Sequence, residues 1–275
     1  MAAVHPLPGI ARRTAIVTGA NHGIGAATAI ELAAQGANVI ATFLTLHDAP
    51  DPGTPDEYRR QRALGGEHVE AAIAAHGAAG LVLEADLGDP ASAADLFDRA
   101  EARFGPVEIL VNNASGWLAD TFTAAATDRF GRALSAVSPV TVDRLLAVDA
   151  RAAALLIAEL ARRHTARGGT WGRIVGLTSG GPGGFPGEVS YGAAKAAQEN
   201  YTMSAARELA PYGITANVVY PPVTDTGWVT EEVRAAVEAS SEHVHVAHPD
   251  DVAAVVAYLV SDLAWLVTGN VIRLR

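Results

Sequence analysis

Short runs of β-branched and other apolar residues alternate along the chain with longer, alanine-rich amphipathic segments. This alternation is typical of βαβ units, in which helices connect parallel strands and cover the sheet that the strands form. The pattern predicts seven strands, at residues 14–18, 38–42, 81–84, 109–112, 173–177, 215–219 and 270–274. We therefore expect an α/β fold with a parallel sheet of about seven strands and helices on both faces.

Three segments interrupt this alternation. Residues 48–66 carry three prolines and several charges and are expected to loop over the surface, whereas residues 115–139 and 221–248 each follow a predicted strand. Ligands of parallel α/β sheets bind beyond the carboxyl ends of the strands, so the latter two segments are the predicted substrate loops. Because no linker or internal repeat divides the chain, residues 1–275 are expected to form a single domain.

The amino-acid composition limits the kinds of binding partner and the cellular location that we expect. The chain is 49% hydrophobic, has a formal net charge of −10 and contains no cysteine. The negative charge opposes nucleic acid and anionic membranes, which favours a small-molecule partner. Without cysteine there are no disulfides, thiolate metal sites or cysteine nucleophiles. The first ten residues lack a basic leading segment and no stretch is apolar enough to span a bilayer, so a cytoplasmic location is expected.

A glycine-rich turn follows the first predicted strand. Residues 18–25 read TGANHGIG and lead into an apolar-periodic helix. Glycines allow the backbone N–H groups at such a helix start to approach a pyrophosphate, although ordinary strand-to-helix turns can also be rich in glycine. The candidate cofactor-binding residues of this turn are Gly19, Asn21, His22, Gly23, Ile24 and Gly25.

Candidate catalytic residues follow the fifth predicted strand. Tyr191 and Lys195 are four residues apart, so they share one face of a helix and the ammonium can lie beside the phenol. A phenol with a pKa of about 10 is a poor base near neutrality, and a neighbouring cation favours the phenolate. Ser179 can donate a hydrogen bond to a substrate carbonyl. Lys195 is the only lysine, whereas the other basic positions are arginine, which points to a role that needs a compact ammonium. An exposed i,i+4 pair is the structural alternative.

Taken together, these motifs resemble the short-chain dehydrogenase/reductase family over almost the whole chain. The resemblance includes the glycine spacing, the Asp86-Leu87 pair, the segment 112–115 (NNAS, with Ser115 at a usual glycine) and the segment 220–226 (YPPVTDT, with Pro222 at a usual glycine). It implies a single-domain, Rossmann-type doubly wound fold and Ser179, Tyr191 and Lys195 as catalytic residues. The further cofactor-binding residues that it implies are Phe43, Asp86, Leu87, Asn113, Ala114, Tyr191, Lys195, Pro221, Val223 and Thr226.

The resemblance leaves the choice of cofactor partly open. Family members that use NAD carry an acidic residue at the end of the second strand, and residues 41–44 (ATFL) contain none. The usual basic partner of a 2′-phosphate is also missing, since Asn21 and His22 occupy the turn and Leu44 follows Phe43. The balance slightly favours NADP(H), with NAD(H) as the alternative.

One further family position is altered. The helix expected over residues 142–163 normally presents an asparagine that helps to hold a water joined to the lysine, and Asp149 stands there. If the backbone carbonyl carries that role, aspartate would serve; if the side chain does, proton delivery would change. Asp149 is therefore not included among the predicted site residues.

The predicted activity is the interconversion of a ketone or other carbonyl and a secondary alcohol by hydride transfer, as in 3-oxoacyl-carrier-protein or polyketide ketoreductases. The alternatives are a nucleotide-sugar epimerase or dehydratase, disfavoured by the glycine spacing and by a last strand near residue 275, and a non-catalytic dinucleotide sensor. The resemblance implies a homo-oligomer, a dimer or a tetramer, built on the two long helices beside the active site.

Three secondary features complete the expectations. Trp117, Phe185 and Trp228 either line the substrate pocket or pack the loops on the core. No metal site is expected, because the histidines 243, 245 and 248 lack nearby convergent carboxylates. An acidic carrier protein would need a local basic patch, for which the candidates are Arg129, Arg132 and Arg163.

Overall fold

The computed structural model describes residues 6–51, 53–180, 183–241 and 244–275. Its strands are β1 (Thr14–Thr18), β2 (Asn38–Phe43), β3 (Gly80–Glu84), β4 (Val107–Asn112), β5 (Asp120–Thr121), β6 (Ser135–Ala136), β7 (Gly172–Leu177), β8 (Ile214–Tyr220) and β9 (Val271–Arg273). Its α-helices are α1 (Gly23–Ala34), α2 (Asp56–Arg62), α3 (Glu67–Ala75), α4 (Ser92–Phe104), α5 (Pro139–Leu145), α6 (Ala153–Ala166), α7 (Val189–Glu208), α8 (Glu231–Glu238) and α9 (Pro249–Val260).

Over these residues the central sheet has seven strands in the order β3-β2-β1-β4-β7-β8-β9. All its neighbouring strands pair in parallel. The expected α/β doubly wound fold is therefore confirmed, and each predicted strand lies within two residues of its expected position. The sheet grows from β1 to β3 in one direction and then continues from β4 on the other side of β1. Ligands of such sheets bind at this reversal, beside the carboxyl ends of β1 and β4.

Two hydrophobic clusters cover the opposite faces of the sheet. One joins β1 and β4 to α1 and α9 through buried residues such as Leu32, Val111 and Val256. The other joins the sheet to α4 and α6 through residues such as Phe97, Leu110 and Leu160. Because strands of a parallel sheet are buried on both faces, they appear in the sequence as nearly continuous apolar runs.

The expectation that residues 48–66 form only a surface loop was wrong, because α2 lies within this segment. The first turn of this helix carries acidic residues and the last turn carries arginines, and both charges interact favourably with the helix dipole. Tertiary contacts hold it in place. Leu46 donates its N–H to the Arg62 carbonyl at 3.0 Å, and the buried Arg62 side chain pairs with Asp48 at 3.2 Å.

The helix expected over residues 142–163 contains an irregular middle. It runs from α5 through a π-helical segment, Leu146–Ala152, directly into α6. π-Helical turns inside α-helices are often found at functional sites. The expected loop over residues 115–139 contains the short parallel pair β5 and β6. Nowhere in the described ranges is a helix long and apolar enough to cross a membrane.

Candidate active site

The glycine-rich turn between β1 and α1 is tightly packed against the end of β4. Gly19 has a φ of +64°, and a Cβ there would lie 2.7 Å from the Ala114 Cα. A Cβ on Gly25 would lie only 2.1 Å from the Gly19 carbonyl oxygen. The turn thus needs glycine for its own packing, and it leads into the start of α1, where backbone N–H groups can bind an anion.

Thr18 and Asn113 connect the ends of β1 and β4. Asn113 Nδ2 donates to the carbonyl oxygens of Thr18 and Gly19, both at 2.9 Å. The Thr18 hydroxyl accepts the backbone N–H groups of Asn113 and Ala114, both at 3.0 Å. The structure therefore brings Asn113 and Ala114 to the glycine turn, where the Asn113 side chain braces the backbone.

Asn21 and His22 point toward the segment that carries α2. The buried Asn21 donates to the Leu64 carbonyl at 2.9 Å, and its Oδ1 lies 3.0 Å from His22 Nδ1. Burial, with smaller contributions from the nearby Arg62 and His68, lowers the pKa of His22 from 6.5 to about 4. His22 is consequently neutral at pH 7 and supplies no cation to a bound phosphate.

The remaining predicted cofactor residues lie in α1, at the end of β2 or after β3 and β8, and of these Thr226 contacts the turn. Thr226 lies directly over Gly23, where an added Cβ would meet its methyl group at 2.8 Å. Phe43 ends β2 and packs on Gly66. Exposed Asp86 accepts the Gly88 N–H at 2.7 Å, so its carboxylate turns toward its own loop. Ile24 in α1 is half-buried, Leu87 after β3 is buried, and Pro221 and Val223 after β8 are half-buried.

Ser179, Tyr191 and Lys195 come together beyond the end of β7. Ser179 follows that strand, while Tyr191 and Lys195 lie on α7. A side-chain hydrogen bond joins Ser179 to Tyr191. The Lys195 Nζ is 5.7 Å from the centre of the Tyr191 ring, and the Phe185 ring lies 5.9 Å from that ring on another side. The three predicted catalytic side chains therefore form one cluster.

The substrate loop 115–139 is attached to the start of α7. Trp117 Nε1 donates to Glu188 Oε1 at 3.1 Å, and Arg132 pairs with the same carboxylate at 3.0 Å. Burial raises the pKa of Glu188, whereas Arg132 and Trp117 act in the opposite direction. These contacts attach an indole and a carboxyl group to the start of the helix that carries Tyr191, and the Glu188 charge acts on the Tyr191 phenol.

Lys195 is almost completely buried among polar partners. Its Nζ donates to the Leu177 carbonyl at 2.9 Å and to Gln198 Oε1 at 3.0 Å. It also pairs with Asp149 Oδ1 at 3.1 Å, with the side chains 3% and 0% exposed. Gln198 Nε2 in turn donates to the Asn112 carbonyl at 3.0 Å. Lys195 is thus a buried residue and not part of an exposed helix pair.

The pKa of Tyr191 is raised well above its ordinary value of 10.0. Burial is the largest cause, followed by the negative charges of Asp149 and Glu188, and the hydrogen bond with Ser179 acts in the opposite direction. Lys195 was expected to favour the phenolate. Its charge is instead paired with the buried Asp149 carboxylate, and burial together with the nearby negative charges raises the Tyr191 pKa.

Several site residues were not found from the sequence. Tyr58 on α2 lies with its ring 6.2 Å from both the His22 and the Trp117 rings, so α2 reaches over the site. Gln198 follows Lys195 by three residues and shares its helix face, a spacing that could have identified it. Glu188 directly precedes α7, but nothing in the sequence shows that Trp117 and Arg132 meet it.

The secondary expectations have mixed outcomes. Trp117 and Phe185 lie beside Glu188 and Tyr191, whereas Trp228 donates to the Thr224 carbonyl of its own loop at 3.0 Å. Arg132 and Arg163 are already paired with carboxylates, which weakens the proposed basic patch. Across the described ranges no three His, Asp or Glu side chains are grouped as for a metal, and residue 243 lies outside those ranges.

Known proteins are similar to this chain in sequence and in fold. A family model described as enoyl-(acyl carrier protein) reductase matches residues 58–274. The chain is 33% identical over 266 residues to the uncharacterized oxidoreductase YjdA of Bacillus subtilis, with coverage of 95% of this chain and 94% of that protein. It is 32% identical over 266 residues to the 3-oxoacyl-[acyl-carrier-protein] reductase FabG of Escherichia coli, with 96% of each covered.

A solved structure is similar over the same length. The angucycline C-6 ketoreductase LanV with bound NADP has a TM-score of 0.77 and 29% identity, with coverage of 98% of this chain and 97% of that one. The family model spans most of the chain, and the relatives match almost all of it. With the sheet order and the clustered Ser179, Tyr191 and Lys195, these matches confirm the expected resemblance: the chain is an oxidoreductase that belongs to the short-chain dehydrogenase/reductase family.

Proposed function

We propose that the protein is an NADPH-dependent ketoreductase in which Ser179, Tyr191 and Lys195 are the catalytic residues. The observation that carries this proposal is the cluster beyond β7. There the side chains of Ser179 and Tyr191 are hydrogen-bonded, and the Lys195 Nζ lies 5.7 Å from the centre of the phenol ring. The glycine turn beside it would hold the dinucleotide, because backbone N–H groups at a helix start favour a pyrophosphate and the first turn of α1 carries no acidic side chain.

The residues divide the reduction between them. NADPH, when bound, supplies the hydride that forms the new C–H bond at the carbonyl carbon. The Ser179 hydroxyl donates a hydrogen bond to the carbonyl oxygen and polarises the bond. Tyr191 then transfers its phenolic proton to that oxygen, which gains the electron pair of the broken π bond. Lys195 donates to Leu177 and Gln198 and pairs with Asp149, so it would bind a nicotinamide ribose by exchanging one of these partners for a ribose hydroxyl.

Two features support NADPH over NADH. Phe43 ends β2 without a carboxylate that would repel a 2′-phosphate. The guanidinium of Arg62, which pairs with Asp48, lies near His22 of the glycine turn and is a basic group that a 2′-phosphate could approach. LanV, the structurally similar ketoreductase, was solved with NADP.

The substrate class that we propose is a 3-oxoacyl or polyketide-type ketone. The support is the 3-oxoacyl-carrier-protein reductase of E. coli among the relatives and the angucycline ketoreductase among the structures. Phe185 provides apolar surface beside Tyr191, and Trp117 adds an indole beside Tyr58, which suits an acyl chain or a fused ring.

A turnover panel tests this proposal. The purified protein is incubated with NADPH or NADH and with 3-oxoacyl thioesters, fused-ring ketones and simple aldehydes, and the loss of reduced cofactor is followed. We expect a higher kcat/KM with NADPH and turnover of at least one ketone class. Tyr191→Phe should reduce turnover by about a hundredfold or more while the dinucleotide still binds. Cofactor binding without turnover of any carbonyl would instead indicate a dinucleotide sensor.

A further inference from the structure

Asp149 and Lys195 form a buried ion pair next to Tyr191, whose ring centre lies 5.7 Å from the Lys195 Nζ. The two charged atoms are 3.1 Å apart and both side chains are almost inaccessible to solvent. Water screens such a pair poorly, so the carboxylate cancels much of the field of the ammonium at neighbouring groups.

Asp149 is held in this position from two sides. Its second oxygen, Oδ2, accepts the Gly116 N–H at 2.8 Å from the substrate loop. Its backbone lies in the π-helical segment Leu146–Ala152 between α5 and α6, which packs against α7. The backbone segment and the hydrogen bond from Gly116 therefore hold the Asp149 carboxylate in its position next to Lys195.

We propose that Asp149 is a positioning residue that pairs with Lys195 and thereby keeps Tyr191 protonated, so that the enzyme is set for carbonyl reduction even at alkaline pH. This inference rests on the proposed role of Tyr191 as the proton donor. An amide at position 149 would leave the ammonium uncompensated, and Tyr191 would ionise more readily. The aspartate thus favours the acid form of the phenol.

Of the other groups around Tyr191, some raise the pKa of its phenol and others lower it. Glu188, just before α7, and Tyr58 from α2 raise its pKa, whereas the Ser179 hydroxyl after β7 lowers it through a hydrogen bond. Arg132, from the substrate loop, pairs with Glu188 and offsets part of that charge. None of these groups touches the Lys195 Nζ in the described contacts, so replacement of Asp149 removes the carboxylate that pairs with Lys195 and leaves the other charges around Tyr191 in place.

The test is the Asp149→Asn variant, read by its dependence on pH. We expect the rising limb of kcat/KM for alcohol oxidation to move to lower pH by about one unit or more, and ketone reduction to decline at a lower pH than in the wild type. Asp143→Asn is the matched control, because Asp143 is exposed on α5 of the same continuous helix. An unshifted profile, or a shift to higher pH, would overturn the proposal.

A second measurement avoids both activity and cofactor. Tyrosine labelled with ¹³C at Cζ gives signals that titrate with the phenol, and the signal lost in Tyr191→Phe assigns Tyr191. We expect Asp149→Asn to lower the Tyr191 pKa in the free protein. Labelled lysine gives one side-chain signal, since Lys195 is the only lysine, and shows that the ammonium persists.

These measurements separate the inference from the proposed function. A Tyr191 signal that titrates at the same pH in wild type and Asp149→Asn, with Lys195 still charged, refutes the role of Asp149 whether or not the enzyme turns over. A lowered Tyr191 pKa in a protein that reduces no carbonyl leaves the Asp149 coupling intact and refutes the ketoreductase.

Discussion

Asp120 on β5 accepts hydrogen bonds from both the backbone N–H and the hydroxyl of Ser190, in the first turn of the helix that carries Tyr191. Both residues are buried, and Asp120 is 0% exposed. Asp120, from the substrate loop, thus accepts a hydrogen bond from the first turn of α7, which in most helices is accepted by the N-cap residue of the same helix. The start of α7, and with it the position of Tyr191, depends on the fold of the segment 115–139.

Replacement of Asp120 by alanine tests this dependence. The Ser190 N–H and hydroxyl would be left buried without their acceptor, so we expect a loss of about 1–3 kcal/mol in the free energy of unfolding. We also expect lower turnover, because the first turn of α7 would fray next to Tyr191. Urea unfolding measures the first effect. Asp86→Ala, at an exposed loop carboxylate, is the control for which we expect a much smaller loss.

The glycine turn allows a second prediction. A Cβ at Gly25 would overlap the Gly19 carbonyl at 2.1 Å, so Gly25→Ala should destabilise the protein itself as well as weaken dinucleotide binding. Gly183→Ala is the control, because a Cβ there meets nothing within 4 Å. Thermal unfolding of the two variants should differ by several degrees. Equal stability would mean that the turn adapts easily, and loss of cofactor affinity alone would then report a direct contact.

His22 makes the stability of the protein depend on pH. Its pKa falls from 6.5 to about 4 on burial, so the unfolded chain takes up a proton that the folded protein refuses. The stabilisation is complete above about pH 6.5 and is lost as the pH falls toward 4. We expect that His22→Asn flattens the decline in unfolding free energy over this window, by up to about 3 kcal/mol. Replacement of the exposed His245 by asparagine should leave the decline unchanged.

The sequence predicts the parts of this molecule that depend on neighbouring residues in the chain. The strands were found because a strand buried on both faces must be an apolar run, and Tyr191 and Lys195 were paired because helix geometry fixes an i,i+4 spacing. Ser179 was predicted from its position before Tyr191 and from the family resemblance, because a serine after a strand often only caps backbone groups.

What the sequence could not predict depends on distant contacts. The helix α2 is seven residues long, too short to be stable by itself, and its anchors at Leu46 and Asp48 lie outside it. The direct pairing of Asp149 with Lys195 requires the π-helical turn and the Gly116 N–H, neither of which has a local signature. The charge balance around Tyr191 therefore emerged only from the folded structure.

The last prediction concerns Lys195→Arg, which keeps the charge in a chain that uses arginine at all its other basic positions. The Nζ has acceptors on Leu177, Gln198 and Asp149 within 3.1 Å, and the residue is 2% exposed. A planar guanidinium is larger and cannot satisfy three acceptors arranged around one point. We expect lower stability together with weaker dinucleotide binding and at least about a tenfold loss of turnover.

Arg207→Lys is the matched control, since Arg207 is exposed near the end of the same helix and the reverse exchange there should change neither property. Unfolding, dinucleotide titration and steady-state turnover are measured on both variants. An exposed helix lysine would tolerate the exchange as Arg207 does. Wild-type stability, binding and turnover in Lys195→Arg would therefore contradict a catalytic role for Lys195. A site that accepts either cation would not need the compact ammonium that this role requires.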